Sequence, residues 1–252
     1  MFYKEYKPCN ELKKFIRCFW IMDREYNENS FLGNKEYLWP TGLTEILHII
    51  GPNFFEIRDE KEYKLENEII IGAYNKRFIL KNNGKVRIIG IRCYNHGATV
   101  LFNVNLNNIK NKIDSYNLEN IDRSILNSND NENIIEYLNS YCKEYIKENR
   151  FIDIMYKFYN ENLSLEDICT ESNLSRRQLE RKVKEFTTFT PKELMKIIRF
   201  DKARIEMLWG KDYMQVMSDL GYYDYSHFSK EFKKYYDITP KQFIDMYNKL
   251  FN

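Results

Sequence analysis

The sequence predicts an α+β protein of two domains, a β-rich N-terminal domain followed by an all-α domain with a tandem helix-turn-helix pattern. Three observations predict it. Its 252 residues suffice for about two domains of ordinary size. The first half consists of short β-branched runs parted by turn formers, whereas a helical period takes over after residue 130. The helical part also repeats itself internally. The expected boundaries are 1–125 for the β-rich domain, 126–150 for a linker helix and 151–252 for the helical domain.

The β assignment rests on Thr44–Ile50, Glu68–Ala73, Phe78–Leu80 and Val86–Cys93, separated by Gly51-Pro52, Gly72, Asn82-Asn83-Gly84 and Gly97. Asn83-Gly84 predicts a hairpin joining the last two runs, because both residues tolerate the positive φ of tight hairpin turns. The segment Asn10–Ile21 fits helix or strand. A sandwich or a barrel satisfies the pattern.

From Asn131 to about Asn149, Ile134, Leu138, Tyr141 and Tyr145 recur at helical spacing, as do Ile135, Cys142 and Ile146. The helix they predict is either a linker packed on the β domain or a dimer helix. Beyond Phe151, helix starts are marked by Ser164 with Asp167, Ser175 with Gln178, Thr190 with Glu193 and Thr239 with Gln242. Pro191 and Pro240 occupy first helical positions, and Asp212 and Asp224 are N-cap candidates.

The duplication is specific. Leu179, Val183 and Thr190-Pro191 match Phe228, Phe232 and Thr239-Pro240 at an offset of 49, while Leu165, Ile168 and Leu174 match Tyr213, Val216 and Tyr222 at 48. The second copy thus carries one extra residue in its turn, near Tyr223. Two recognition helices follow, 175–186 and 224–235. In the first, Leu179, Val183 and Phe186 face inward, with Arg177, Arg181 and Lys184 on the opposite side. In the second, Phe228, Phe232 and Tyr235 go in, with Ser226, Lys230 and Lys233 out.

Net charge is only +2, with 17 basic and 16 acidic residues from Phe151 onward, so the global balance names no partner. Local clustering does: Ser175–Arg204 holds ten basic residues against four acidic ones. A helix fits the major groove of duplex DNA, arginine pairs bidentately with guanine, and lysines neutralise phosphates. Two such helices enter successive grooves about 34 Å apart, which demands a rigid connector. Pro191–Leu208 supplies one, with Leu194, Ile197, Ile198, Ala203, Ile205 and Leu208 as its apolar face.

These residues resemble the AraC/XylS family of bacterial transcription regulators over about Asn160–Asn252. The likeness is carried by Leu220-Gly221-Tyr222-Tyr223-Asp224-Tyr225-Ser226-His227-Phe228-Ser229-Lys230-Glu231-Phe232-Lys233-Lys234 with Ile238-Thr239-Pro240, and in the first copy by Leu174-Ser175-Arg176-Arg177-Gln178-Leu179-Glu180-Arg181 with Thr190-Pro191. The resemblance implies a sequence-specific DNA-binding regulator, an activator or a repressor. Arg177, Glu180 and Arg181 would face bases in the first copy, and Tyr225, Ser226, Ser229 and Lys230 in the second. Ser175, Arg176, Gln178, Lys184, His227, Lys233 and Lys234 complete the expected contact set. An activator would take RNA polymerase as a further partner.

Several positions depart from the family pattern. Thr188 and Asp237 stand where glycine usually ends each recognition helix; a β-branched Thr at positive φ is strained, so another turn geometry is expected there. Met217 replaces a small residue at the tight helix contact and is expected to turn aside. Lys230 replaces a frequent arginine and lacks its bidentate fork, so less sequence readout is expected from the second helix.

The N-terminal half more weakly resembles the cupin-like domain fused to some members, through Trp39-Pro40-Thr41-Gly42-Leu43-Thr44-Glu45-Ile46-Leu47. Such domains sense a small molecule or hold a homodimer. Trp39, Glu45, Tyr74 and Arg92 are the candidate effector residues; Glu45 and Arg92 interrupt apolar strands, as an internal ligand or a buried ion pair would require. Three scattered histidines, five cysteines without a C-x-x-C pair, and the lack of a phosphate loop or nucleophile motif predict no metal, no cofactor and no catalysis. A methylated-DNA repair sensor fails for want of a cysteine cluster. With no long apolar run or signal sequence, the chain is expected to be cytoplasmic and free of membrane. The competing reading is a small-molecule binding protein whose helical module is degenerate and cannot bind DNA.

Overall fold

The computed structural model describes residues 1–29, 31–147, 149, 151–161 and 163–248, without the side chains of Phe31, Leu32 and Asn248. Glu148 and Arg150 of the expected linker, Asn162, and Lys249–Asn252 of the expected helical domain lie outside the described residues.

β-Branched and aromatic runs alternate their side chains between two faces, and both faces here are apolar, so the strands are covered on both sides. Ten strands form: β1 (Phe2–Tyr6), β2 (Ile16–Tyr26), β3 (Phe31–Leu38), β4 (Leu43–Ile50), β5 (Phe55–Arg58), β6 (Lys61–Lys64), β7 (Glu68–Ile71), β8 (Phe78–Lys81), β9 (Gly84–Tyr94) and β10 (Ile113–Ser115). They make an antiparallel six-stranded sheet, ordered β1-β2-β9-β4-β7-β10, and a four-stranded sheet, ordered β3-β8-β5-β6. Trp20, Leu47, Ile49, Ile69, Ile71 and Ile88 from the first sheet meet Phe54, Phe78 and Leu80 from the second in one buried core. Gly90 lies opposite Trp20, and a Cβ there would stand 2.1 Å from the indole ring, so only glycine lets Trp20 lie flat across β9.

The outer face of the six-stranded sheet carries Phe19, Ile21, Ile46, Ile70, Ile89 and Ile91 into a second core, which continues without a break through the helices. These are α1 (Asn95–Phe102), α2 (Arg123–Leu126), α3 (Asn131–Lys143), α4 (Phe151–Asn160), α5 (Leu165–Ser172), α6 (Arg176–Thr187), α7 (Pro191–Leu208), α8 (Tyr213–Asp219), α9 (Tyr225–Tyr236) and α10 (Pro240–Asn248). The protein is therefore a β-rich N-terminal region followed by a helical region, the α+β order read from the sequence.

Several details differ from expectation. Asn83-Gly84 makes no hairpin: β8 pairs with β3 and β5, whereas β9 pairs with β2 and β4. The Asn82 amide donates to the carbonyls of Pro52 (2.8 Å) and Asn53 (3.1 Å), which turns the chain from one sheet to the other. Gly97 is not a turn but part of α1, where a Cβ would stand 2.0 Å from the Phe15 carbonyl oxygen. The ambiguous Asn10–Ile21 segment is a turn followed by the start of β2.

Helix α3 stops at Lys143 rather than Asn149, because Tyr145 and Ile146 donate their N–H groups only three residues back, to Cys142 and Lys143. Its buried face (Ile134, Leu138, Tyr141, Cys142) is spent on the core of the same chain. In α7, Ile205 is 40% exposed, and the inward face is completed by Phe200 and Met207 instead.

The two regions are joined by polar bonds as well as by packing. Tyr159 donates to the Gly42 carbonyl (2.8 Å) and the Trp39 indole N–H to the Tyr247 hydroxyl (2.8 Å). The Trp39 ring also packs on Tyr236 and Phe243.

Candidate nucleic-acid interface

Helix starts in this region are set by local chemistry. Ser164 with Asp167, Ser175 with Gln178, and Thr190 with Glu193 form reciprocal capping boxes. Thr239 exchanges the same pair of bonds with Gln242. The Asp224 carboxylate accepts from the His227 N–H (2.9 Å), starting α9. Each box satisfies two otherwise orphaned backbone N–H groups and fixes where its helix begins.

The duplication extends to the backbone. Leu174 N–H donates to the Cys169 carbonyl (3.2 Å), and Tyr222 N–H to that of Met217 (3.1 Å). Asn173 (φ 53°) and Gly221 (φ 75°) hold equivalent left-handed positions just before these bonds. Each copy ends alike too: Thr188 N–H donates to Lys184 (2.9 Å) and Asp237 N–H to Lys233 (2.8 Å).

Thr188 corrects one expectation. It does adopt the left-handed conformation (φ 65°), like Asp237 (φ 56°). It is buried, its backbone bonds hold it, and its carbonyl accepts from Lys110 Nζ (3.2 Å). Tertiary packing thus imposes a geometry that Thr alone disfavours. Met217 corrects another: it does not turn aside, but is buried with Val216 against the core. An unbranched thioether fills irregular space at little strain.

On α6, Leu179, Val183 and Phe186 are buried, while Ser175, Arg176, Arg177, Gln178, Glu180, Arg181 and Lys184 are exposed. Ser175 and Gln178 are occupied by the cap, and Arg176 lies 3.8 Å from Glu180 and 4.0 Å from Glu166. Among the described residues, Arg177, Arg181 and Lys184 make no ion pair, so they stand free on the outer face. On α9, Phe228, Phe232 and Tyr235 are buried, whereas Ser226, His227, Lys230, Lys233 and Lys234 are exposed. Tyr225 and Ser229 are half-buried, Tyr225 packing on Tyr213 and the His227 ring lying edge-on to Tyr222.

Helix α7, 18 residues and therefore about 27 Å long, links the two copies. It is tied to α9 by Glu231, which accepts from Lys196 (2.5 Å) and from the Tyr222 hydroxyl. Burial pushes the Glu231 carboxyl up, but the Lys196 and Tyr222 bonds outweigh it and leave the group below its usual range. Burial, with Glu231 beside it, pushes the Tyr222 phenol up to about 12.

Four exposed residues were not among the expected contacts. Tyr223, in the extra turn position, is fully exposed, and Lys192, Arg199 and Lys202 lie along α7. The excess of basic residues over Ser175–Arg204 was the available signal for the last three; exposure of Tyr223 has no sequence signal.

The four expected effector residues, Trp39, Glu45, Tyr74 and Arg92, line one cavity of about 200 Å³ in the β-rich region. Strand pairing puts Glu45 opposite Arg92, and the Arg92 guanidinium donates to Glu45 (3.0 Å) and Glu5 (2.7 Å). Trp20 Nε1 donates to the other Glu45 oxygen (3.1 Å). Thr41, in place of an acid, accepts from the Leu43 N–H (3.2 Å) and shapes the turn at Gly42 (φ 73°). Burial pushes the Tyr74 phenol up; its hydroxyl donates to the Trp39 carbonyl (2.7 Å). Arg204 of α7 also faces this cavity, paired with Asp201 (2.6 Å).

His48 and His96 are far from one another in role. His48 lies between Glu68 (3.1 Å) and Asn127 (2.9 Å), whereas His96 is fully buried, its Nε2 bonded to the Lys14 carbonyl (2.7 Å). Burial brings the His96 pKa down to about 4. Among the described residues no group of three or more His, Cys, Asp or Glu side chains could hold a metal ion, and no helix is long and apolar enough to cross a membrane.

Comparison with known proteins agrees with this geometry. Residues 168–246 match a family described as a helix-turn-helix domain, of the AraC type, and residues 4–113 match a domain of unknown function (DUF6597). A stretch of 93 residues is 31% identical to Histidine kinase P4 of Formosa agariphila, covering 36% of this chain and 7% of that protein. Over 110 residues the chain is 28% identical to the Msm operon regulatory protein of Streptococcus mutans, covering 43% of this chain and 39% of that one. The chain thus spans well under half the length of these curated relatives. In fold it is similar to ToxT from Vibrio cholerae, at a TM-score of 0.51 and 15% identity over 97% of this chain and 98% of that one. A second ToxT structure, bound to (E)-4-(8-methylnaphthalen-1-yl)but-3-enoic acid, matches with a TM-score of 0.51 and 17% identity over 90% of this chain and 97% of that one. The duplicated, capped helix-turn-helix units thus coincide with the matched helix-turn-helix domain over residues 168–246, set behind a β-rich region.

Proposed function

We propose that the chain is a sequence-specific DNA-binding transcription regulator that inserts α6 and α9 into successive major grooves on one face of the duplex. The supporting observation is the matched pair of helices, each presenting uncommitted basic side chains, held at the two ends of one rigid connector. Arg177 and Arg181 read bases; Lys184, Lys230 and Lys233 contact phosphates and fix register. No catalytic step is assigned. The chain acts in the cytoplasm, and an activating role would add RNA polymerase as a partner.

Control comes from a small molecule held in the β-rich region, at the cavity lined by Trp39, Glu45, Tyr74 and Arg92. Arg204 supports this reading, because it belongs to the connector between the recognition helices and faces that cavity. The acid bound by ToxT supports a ligand-holding role for this fold in general. Dimerisation is the other form of control such domains provide; the inward face of α3 is spent within the chain, which favours the linker role for that helix. Thr188 and Met217, two departures from the family pattern, are both accommodated in the helix-turn-helix geometry, which weighs against a degenerate module.

The test is single substitution. Arg177→Ala and Arg181→Ala are each expected to lower specific affinity by about 1–3 kcal/mol with little effect on scrambled duplex. Equal loss on both duplexes would reduce these arginines to phosphate contacts; no loss on either would remove α6 from the interface.

A further inference from the structure

The walls of the cavity in the β-rich region select a ligand class. We infer that the cavity binds a small organic cation, an amine or quaternary ammonium, rather than a carboxylate. This rests on the reading of that cavity as an effector site.

Aromatic rings make up much of the walls: Trp20, Tyr26, Tyr37, Trp39 and Tyr74 all border the space, beside aliphatic side chains. Ring faces carry negative quadrupole density, and several together, desolvated, attract a cation. Two carboxylates, Glu36 and Glu45, also line the cavity.

Both guanidiniums that line the cavity are already committed. Arg92 is divided between Glu45 and Glu5, and Arg204 is held by Asp201 (2.6 Å). Arg24 donates to Glu36 (2.5 Å), and Arg77, behind Tyr37, pairs with Asp237 (3.4 Å). The charged residues that line the cavity, Glu36 and Glu45 against Arg92 and Arg204, are all engaged in ion pairs. An incoming carboxylate would find no free cation and would have to break a buried pair, which is strongly unfavourable.

Glu36 is the lining carboxylate left incompletely compensated. Burial pushes its carboxyl above the usual range, only partly offset by Arg24 and the Tyr26 hydroxyl (2.8 Å). A ligand cation would supply the missing charge. The cavity, about 200 Å³, has room for a molecule of choline size.

The test uses the full chain carrying Trp209→Phe, since Trp209 is 86% exposed and its removal leaves Trp20 and Trp39, both on the cavity wall, as fluorescent reporters. Choline, its neutral isostere 3,3-dimethylbutan-1-ol, and hexanoate are titrated in turn, with thermal midpoint as a second readout. Choline is expected to change the emission and raise the midpoint, with the isostere and hexanoate at least about ten-fold weaker. Glu36→Gln should weaken choline by a similar factor; if that variant does not fold, the contrast between choline and its isostere still decides. Hexanoate or the isostere binding as well as choline would overturn the cation assignment while leaving the effector cavity intact. No response to any of the three at millimolar concentration would overturn both.

Discussion

His96 carries a charge-sensitive load on the fold. It sits in α1, stacked on Tyr94 with ring centroids 5.5 Å apart, and its Nδ1 is buried with no hydrogen-bond partner among the described residues. Protonation there would bury an unpaired charge, so the folded state holds the proton less tightly than the unfolded chain does. Between pH 6.5 and about 4 the unfolded state binds more protons, and stability falls as pH is lowered through that window. The loss should be on the order of 3 kcal/mol, measurable by urea denaturation at pH 7 and pH 4, and His96→Gln should remove most of it. An unchanged pH dependence in that variant would assign acid sensitivity to other groups. Nothing in the sequence marks His96 as buried, because its burial depends on Gly97 letting α1 approach Phe15. Glu45 and Arg92 were more legible. Charged residues inside apolar strands announce a buried partner, although only the pairing of β4 with β9 makes them partners of each other.

At the scale of elements, legibility follows the range of the determining interaction. Capping boxes act over three residues, and all four pairs read from the sequence form as expected. The Asn83-Gly84 hairpin failed because sheet membership is decided by partners far along the chain, which a local turn signal does not encode. Helix ends are intermediate. Thr188 was judged by its intrinsic preference, yet packing around it and the Lys184 carbonyl hold it left-handed. That arrangement leaves its hydroxyl buried without a partner among the described residues. Thr188→Gly should therefore raise stability by about 1 kcal/mol, since relief of backbone strain and of the orphan hydroxyl outweighs the lost methyl burial. Chemical denaturation reads this directly. A less stable variant would mean that the Thr188 methyl matters more than the strain.

For the whole molecule, the decisive feature is that the β-rich region holds both recognition helices at their C-terminal ends. Lys110 donates to the carbonyl of Thr188, and Arg77 pairs with Asp237, at the equivalent position of the second copy. Trp39, Tyr236, Phe243 and Arg204 continue the contact to the connector, so an occupied cavity and the spacing of α6 and α9 share one packed framework. The two-domain order and the duplicated module could be read from periodicity and repeat, but this join could not, because its residues lie up to 208 positions apart. The account stands or falls on DNA recognition. Fluorescence anisotropy of the purified chain on duplex from upstream of its own gene, titrated with salt against scrambled duplex, tests it most directly. We expect binding at least about 10³ tighter than to scrambled DNA, weakening steeply as salt rises. Affinity no higher for upstream than for scrambled duplex, or no binding at about 50 mM salt, would contradict it.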